Sequence, residues 1–123
     1  MVEKATLNRR IDVRLRSLKE RLEALPWYAE RFVTPNGLDQ GQRADWLALE
    51  AEWRDGLDRF DRLHGWFLDG EMNAEQAERH RQNLTLLAAS LPLIQALKIK
   101  APVGALAAWI DEHAPPRTLA EPA

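Results

Sequence analysis

Residues 46–67 read WLALEAEWRDGLDRFDRLHGWF, and aromatic side chains recur in this segment at every seventh position. These aromatics are Trp46, Trp53, Phe60 and Phe67. Because seven residues make about two helical turns, the four side chains share one face of an α-helix. Acid–arginine pairs four residues apart, such as Asp55 with Arg59, indicate a solvated opposite face. The segment therefore predicts a long amphipathic helix whose aromatic stripe faces a core.

Local signals bound this helix at both ends. The TPNG segment at 34–37 is a strong turn signal, so the helix is expected to begin after it, at Asp39 or Gln42. It is expected to end near Leu68, because the following Asp-Gly pair puts Gly70 where a left-handed residue commonly closes a helix.

An earlier helix is predicted over residues 3–25. Its apolar residues recur at steps of three and four: Leu7, Ile11, Leu15, Leu18, Leu22 and Leu25. This spacing keeps them on one face. Pro26 is expected to stop or kink the helix, because proline lacks the N–H that a helical hydrogen bond needs. A short separate helix is predicted over residues 26–33, with three aromatic side chains, Trp27, Tyr28 and Phe32.

The C-terminal half carries its own capping and breaking signals. Asn73 is a good N-cap and Gln76 stands in the capping-box position, so a third helix is predicted to start there. Pro92 is expected to break that helix, and a short helical turn is predicted over residues 93–99. A last helix is predicted over residues 102–113.

Together these elements predict an all-α protein, since no segment has the pattern of a strand. Short connections favour an antiparallel helical bundle of three long helices plus two or three short ones. The chain has 123 residues, which fits one domain. We assign residues 1–114 to this helical bundle domain and residues 115–123 to a Pro-rich C-terminal tail.

Composition and charge exclude several classes of function. The formal net charge is −2, so a basic face that binds nucleic acid is not expected. The chain has no cysteine, which excludes disulfides, thiolate nucleophiles and cysteine-ligated zinc. No apolar run reaches the roughly 20 residues of a membrane-spanning helix, and the N-terminal residues lack the apolar core of a signal peptide. We expect a cytoplasmic protein that binds neither nucleic acid nor membrane.

The charge is unevenly distributed along the chain. Residues 1–31 carry eight basic and five acidic side chains, whereas residues 36–80 carry five arginines and eleven acidic side chains. The two segments therefore attract each other. Such attraction would act between helices of one chain, and it would also guide self-association.

Two histidines are the strongest candidates for a ligand site. A turn near Glu71 makes the second and third helices antiparallel, which brings His64 and His80 to heights that differ by about 3 Å. Asp61 lies one turn before His64, and the aromatic stripe around Trp53 would line a pocket for a flat ligand. A bundle core with such side chains can hold a metal ion or a small molecule. The alternative is a hydrogen-bonded core, and we predict neither a bound metal nor a cofactor, because the chain lacks the paired Glu-x-x-His motifs of di-iron bundles.

A second set of residues is predicted to form a protein interface. Trp66 adjoins Phe67 in sequence, and Trp27 adjoins Tyr28, so neither pair can face a single core seam with both rings. Tryptophan and tyrosine are frequent anchors at interfaces. The predicted interface residues are Leu15, Leu22, Trp27, Tyr28 and Trp66. The alternative is a second core layer beneath the short helices.

One segment resembles a known family. Asn8-Arg9-Arg10-Ile11-Asp12, followed by Leu15, Leu18 and Arg21, is similar to the first helix of the helical chorismate mutases, which also has an arginine, an Ile-Asp pair and spaced leucines. The pattern departs from that family at residues 13–15, where Val-Arg-Leu replaces its second acidic position. The family's later lysine and glutamine ligands are not placed in this chain, so the resemblance assigns it no site residue.

Two functional hypotheses follow from the sequence. The first is a non-catalytic helical interaction or assembly module, either a homodimer or a subunit of a larger assembly, because the chain offers aromatic surface but no catalytic constellation. The second is a ligand- or metal-binding bundle, or a small enzyme, built on His64, His80 and the aromatic stripe. An interaction module should expose an apolar patch, whereas a binding bundle should enclose a pocket with convergent polar groups.

Overall fold

The computed structural model describes residues 2–113, and the predicted tail at 115–123 lies outside them. The described residues form five α-helices: α1 (Val2–Phe32), α2 (Gln40–Leu68), α3 (Ala74–Ala89), α4 (Leu91–Leu97) and α5 (Gly104–His113). Helix accounts for 83% of these residues, and no strand occurs among them. The all-α prediction is therefore confirmed. None of the five helices is both long enough and apolar enough to cross a membrane.

The first helix is longer than predicted, because it continues through Pro26. α1 is a single helix of 31 residues, so the predicted end at Leu25 and the separate helix over residues 26–33 are wrong. Proline removes one helical hydrogen bond. However, Leu25 and Phe32, on either side of it, are buried in the same core, with 1% and 7% of their surfaces exposed. Burial of this shared face outweighs the local preference of proline to end a helix.

The boundaries of α2 follow the predicted signals. The Asp39 side chain accepts a hydrogen bond from the Gln42 backbone N–H at 2.8 Å, and the Gln42 side chain accepts one from the Asp39 N–H at 3.0 Å. At the other end Gly70 has a φ of 76°, in the left-handed region. The N–H groups of Gly70 and Glu71 donate back to carbonyls of the last turn, which closes the helix.

The start of α3 and the break after it also match the prediction. Asn73 and Gln76 form a capping box in which each side chain accepts from the other residue's N–H. Pro92 lies in the first turn of α4, where its missing N–H has no helical partner to lose. α5 begins at Gly104, two residues later than predicted, because the chain turns there through a φ of 63°.

Two tryptophans of the aromatic stripe hold the segment after α4 against α2. The Trp46 indole N–H donates to the Leu97 carbonyl at 2.8 Å, and that of Trp53 donates to the Lys100 carbonyl at 2.7 Å. Trp53 is buried, so its N–H needs an acceptor within the protein. These two bonds fix the path from α4 into α5.

Buried polar side chains attach α3 to α1. The Asn83 amide donates to the Leu15 carbonyl at 3.0 Å. The Gln76 amide contacts the Asp12 carboxylate at 2.9 Å and also the backbone and side-chain oxygens of Asn8. Because directional contacts of this kind tolerate little sliding, they fix which residues of the two helices lie side by side.

Core and surface positions of α2 are expected to differ in their contribution to stability. Trp53→Ala or Phe60→Ala should lower the free energy of unfolding by about 3–5 kcal/mol, because each truncation opens a cavity in the core. Asp55→Ala is the matched control on the same helix. It should cost less than about 1 kcal/mol, because the Asp55–Arg59 ion pair is exposed. Urea unfolding followed by circular dichroism measures all three, and equal losses would mean that the core face of α2 is assigned incorrectly.

Candidate functional site

His64 of α2 and His80 of α3 meet inside the core. His64 Nδ1 lies 3.0 Å from His80 Nε2, and the two side chains are 1% and 0% exposed. The rings of Phe60 and Phe67 enclose the pair, with centroids 5.7 and 4.9 Å from that of His80. The two histidines that the sequence predicted to be close are therefore in contact, in apolar surroundings.

These surroundings keep both imidazoles neutral. Burial, followed by the nearby His64 and Arg81, lowers the pKa of His80 to about 3. Burial also lowers the pKa of His64, while the charge of Asp61 acts in the opposite direction. A hydrogen bond between two neutral imidazoles contains one proton, so one ring donates and the other accepts.

The remaining nitrogen of His80 indicates which ring donates. His80 Nδ1 is buried and has no hydrogen-bond partner among residues 2–113. If His64 donated, His80 would carry its own proton on Nδ1, as a buried N–H without an acceptor. If His80 Nε2 donates, Nδ1 is only an unused acceptor, and unused acceptors are tolerated more often than orphaned N–H groups. We therefore assign the shared proton to Nε2 of His80.

The other residues predicted for this site lie elsewhere. Asp61 is exposed, and Trp53 is about three helical turns from His64, with its N–H already bound to the Lys100 carbonyl. Within residues 2–113, no group of three or more His, Cys, Asp or Glu side chains is placed to hold a metal ion. The histidine pair is therefore a closed contact in the core, without the convergent polar groups of a binding pocket.

A second candidate site is the exposed side of α1 and α2, which we call the α1–α2 face. Its residues recur at helical spacing: Arg10, Arg14, Ser17, Glu20, Arg21, Ala24, Trp27, Tyr28 and Arg31 on α1, and Asp45, Ala48, Glu52, Asp55, Arg59, Arg62 and Trp66 on α2. Two hydrogen bonds join the helices along it. An Arg21 N–H donates to the Glu52 carbonyl at 2.9 Å, and Arg31 pairs with Asp45 at 3.3 Å. The face is therefore a continuous surface.

One end of the α1–α2 face is an aromatic cleft, formed by two adjoining open clefts of 310 and 280 Å³. Both are lined by Tyr28, Leu49 and Glu52, and the second also by Trp27 and Phe32. Trp27 is 56% exposed, whereas Tyr28 is half-buried and stacks on Phe32 with ring centroids 6.2 Å apart. An open aromatic surface of this kind suits protein side chains better than an enclosed small ligand.

The other end carries an arginine cluster: Arg10, Arg14, Arg59 and Arg62. The Arg14 guanidinium lies 5.4 Å from the Trp66 ring centroid, and its NH1 nitrogen is buried without a hydrogen-bond partner in the part of the chain that the structure describes. Burial, followed by the charges of the other three arginines, lowers the pKa of Arg14, while Asp55 acts in the opposite direction. Asp55 pairs with Arg59 at 3.1 Å, and the cluster makes no other ion pair among the described residues. It therefore carries unneutralised positive charge.

The predicted interface residues divide into two groups. Leu15 and Leu22 are each 2% exposed and lie in the core of a single chain, where α1 packs against α2, α3 and α4. No surface of either leucine is left for a second chain, so the interface prediction is wrong for both. Trp27, Tyr28 and Trp66 lie on the α1–α2 face, and their interface role stays a prediction.

The sequence interpretation missed three polar residues. Gln76 and Asn83 are buried, although a signal was present: Gln76, His80, Asn83 and Leu87 recur at steps of four, three and four, on one helical face. Arg14 carried no such signal, because its neighbours Arg59 and Arg62 lie on another helix. Only the pairing of α1 with α2 brings the three arginines together.

Neutral burial of His80 predicts that acid destabilises the fold. Below the ordinary pKa of 6.5 the unfolded chain binds a proton at His80, whereas the folded chain does not until about pH 3. Within this window, falling pH therefore favours the unfolded state by about 1.4 kcal/mol per pH unit for this residue. His80→Gln should reduce the pH dependence of the free energy of unfolding by that slope, measured in urea at a series of pH values below 6.5.

His113→Gln is the matched control for this experiment. His113 is exposed, so its replacement should change the pH dependence far less than His80→Gln does. A His80→Gln variant with the wild-type slope would show that His80 is not held neutral in the folded chain.

Comparison with known proteins supplies no relative for this site. No protein-family model, curated protein or solved structure matches the chain. Its function must therefore be inferred from the contacts, burial and charges described above.

Proposed function

We propose that this chain is a non-catalytic protein–protein interaction module that assembles as a homodimer through the α1–α2 face. The observation that carries the proposal is the aromatic cleft, which the chain's own helices leave open beside a Trp27 that is 56% exposed. Tryptophan, tyrosine and arginine are the side chains that most often dominate binding energy at interfaces, and all three types line this cleft.

The proposed architecture is an antiparallel bundle of three long helices with two short ones, within a domain of residues 1–114. Residue numbers of contacting pairs increase along α1 while they decrease along α2: Arg14 contacts Trp66, Arg21 contacts Glu52, and Arg31 contacts Asp45. Between α1 and α3 both residue numbers increase together: Asn8 contacts Gln76, and Leu15 contacts Asn83. These two trends support opposite directions for α1 and α2 and a shared direction for α1 and α3.

A second copy of the chain is the proposed partner. The α1–α2 face has aromatic side chains at both ends, Trp27 and Tyr28 at one and Trp66 at the other. A symmetric contact between two identical faces covers both ends at once, which is the usual geometry of homodimers. The cytoplasmic location, and the lack of nucleic-acid and membrane partners, stay predictions from composition.

The alternative, a ligand- or metal-binding bundle around His64 and His80, has one observation in its favour. His80 Nδ1 is a buried nitrogen without a partner, and such atoms are common at ligand sites. However, the pair lies against Phe60 and Phe67, and neither histidine lines the clefts described above. We therefore favour the interaction module.

Trp27→Asp is expected to dissociate the dimer. The wild type should elute at twice the 14.1 kDa chain mass in size-exclusion chromatography with light scattering at tens of micromolar. The variant should weaken association by at least about 30-fold, because an interface tryptophan typically contributes about 2 kcal/mol or more. The substitution should change the stability of the folded monomer little, since more than half of the Trp27 side chain is already in water.

Val103→Asp is the matched control. Val103 is also an exposed apolar residue, at 62%, but it precedes α5 and does not belong to the α1–α2 face. This variant should keep the dimer mass. A wild type of 14.1 kDa throughout the concentration series would rule out self-association as the function.

A further inference from the structure

The α1–α2 face has opposite charges at its two ends. The arginine cluster occupies one end. At the other, Glu20 and Glu52 line the aromatic cleft, and neither carboxylate forms an ion pair with another described residue. Asp45 lies at that end too, but it is already paired with Arg31. One folded chain therefore carries free cations and free anions on the same surface.

The two ends also share a layout. Each presents charged side chains from both helices, among them Arg14 and Arg62 at the first end and Glu20 and Glu52 at the second. At 1.5 Å per residue, the two α1 charges are about 9 Å apart and the two α2 charges about 15 Å apart. Charges at these separations lie too far apart to neutralise each other directly across water.

We infer that the surface seated on the α1–α2 face is the same face of a second copy, turned by a two-fold axis that lies in the interface, perpendicular to α1 and α2. This inference rests on the proposed homodimer and specifies its geometry. The rotation lays α1 of each copy on α1 of the other and α2 on α2, and it exchanges the two ends. Arg14 then faces Glu20 of the second copy, and Arg62 faces Glu52 of the second copy.

Two further features fit this arrangement. The Arg14 guanidinium forms no ion pair among the described residues, and a carboxylate from the second copy supplies the charged acceptor that such a group needs. The same rotation brings Trp66 toward Trp27 of the second copy, so the aromatic residues of both ends leave water together. Ser17, a small side chain midway between Arg14 and Glu20 in sequence, lets the two copies approach near the axis.

Charge reversal followed by mixing tests the arrangement. One variant carries Arg14→Glu and Arg62→Glu, and the other carries Glu20→Arg and Glu52→Arg. Each homodimer then opposes like charges at every proposed pair, and each should associate at least about 100-fold more weakly than the wild type. In an equimolar mixture, every proposed pair joins opposite charges again. Light scattering and sedimentation velocity should therefore show a heterodimer close to wild-type affinity.

The possible outcomes separate the geometry from the function. Rescue on mixing supports the inference. Variants that dimerise as the wild type does, or that stay monomeric when mixed, overturn this geometry while the homodimer stands. A wild type that is itself monomeric overturns the homodimer and this inference together. The partner of the α1–α2 face would then be a different protein.

A second pair of variants keeps the test usable if the first variant does not fold. Because Arg14 packs on Trp66, the first variant is checked by circular dichroism and thermal unfolding. If it is less helical than the wild type, Arg62→Glu alone is mixed with Glu52→Arg alone, since both side chains are exposed. Each of these variants alone should dimerise about tenfold more weakly than the wild type, and mixing them should restore the affinity. If mixing does not restore it, the geometry is overturned.

Discussion

A buried N–H must find an acceptor inside the protein, and in α2 this requirement determines how the chain runs from α4 into α5. The indoles of Trp46 and Trp53 donate to the carbonyls of Leu97 and Lys100. Both carbonyls lie where α4 ends and Lys98, with a φ of 60°, turns the chain. From there α5 continues toward His64, on which the charge of His113 acts. These two hydrogen bonds hold the segment from which α5 starts, and α5 carries the last buried side chains of the core, Leu106 and Ile110.

Much of the fold was predictable because its causes are local. Periodic apolar residues and capping boxes lie within a few residues of the boundaries that they determine, and α2 and α3 begin where Asp39 and Asn73 predict. The continuation of α1 through Pro26 was not predictable in this way. It depends on Phe32 reaching a core built by other helices, and the sequence near Pro26 does not contain that contact.

The candidate sites divide in a similar way. The contact between His64 and His80 followed from helix heights and a short turn, so simple geometry was sufficient. The roles of Leu15 and Leu22 were misassigned, because a periodic apolar face shows that a helix is covered without showing whether its own chain covers it. The charge asymmetry of the sequence was real, yet among the described residues the single ion pair between α1 and α2 is Arg31–Asp45. Most charged side chains of the two segments therefore form no ion pair with each other, which is why the α1–α2 face carries free charges of both signs.

Pro26 has a consequence for motion as well as for helix length. Because it has no N–H, the Leu22 carbonyl lacks its helical donor, and residues 27–32 are tied to the rest of α1 by one bond fewer. Segments held by fewer hydrogen bonds and exposed to water open more readily than the core, as hydrogen exchange detects. Trp27 and Tyr28 therefore sit on a part of α1 that has one helical hydrogen bond fewer to break before it opens. A partner that packs on them would order this segment as it binds, and part of the binding free energy would be spent on holding the last turns of α1 closed.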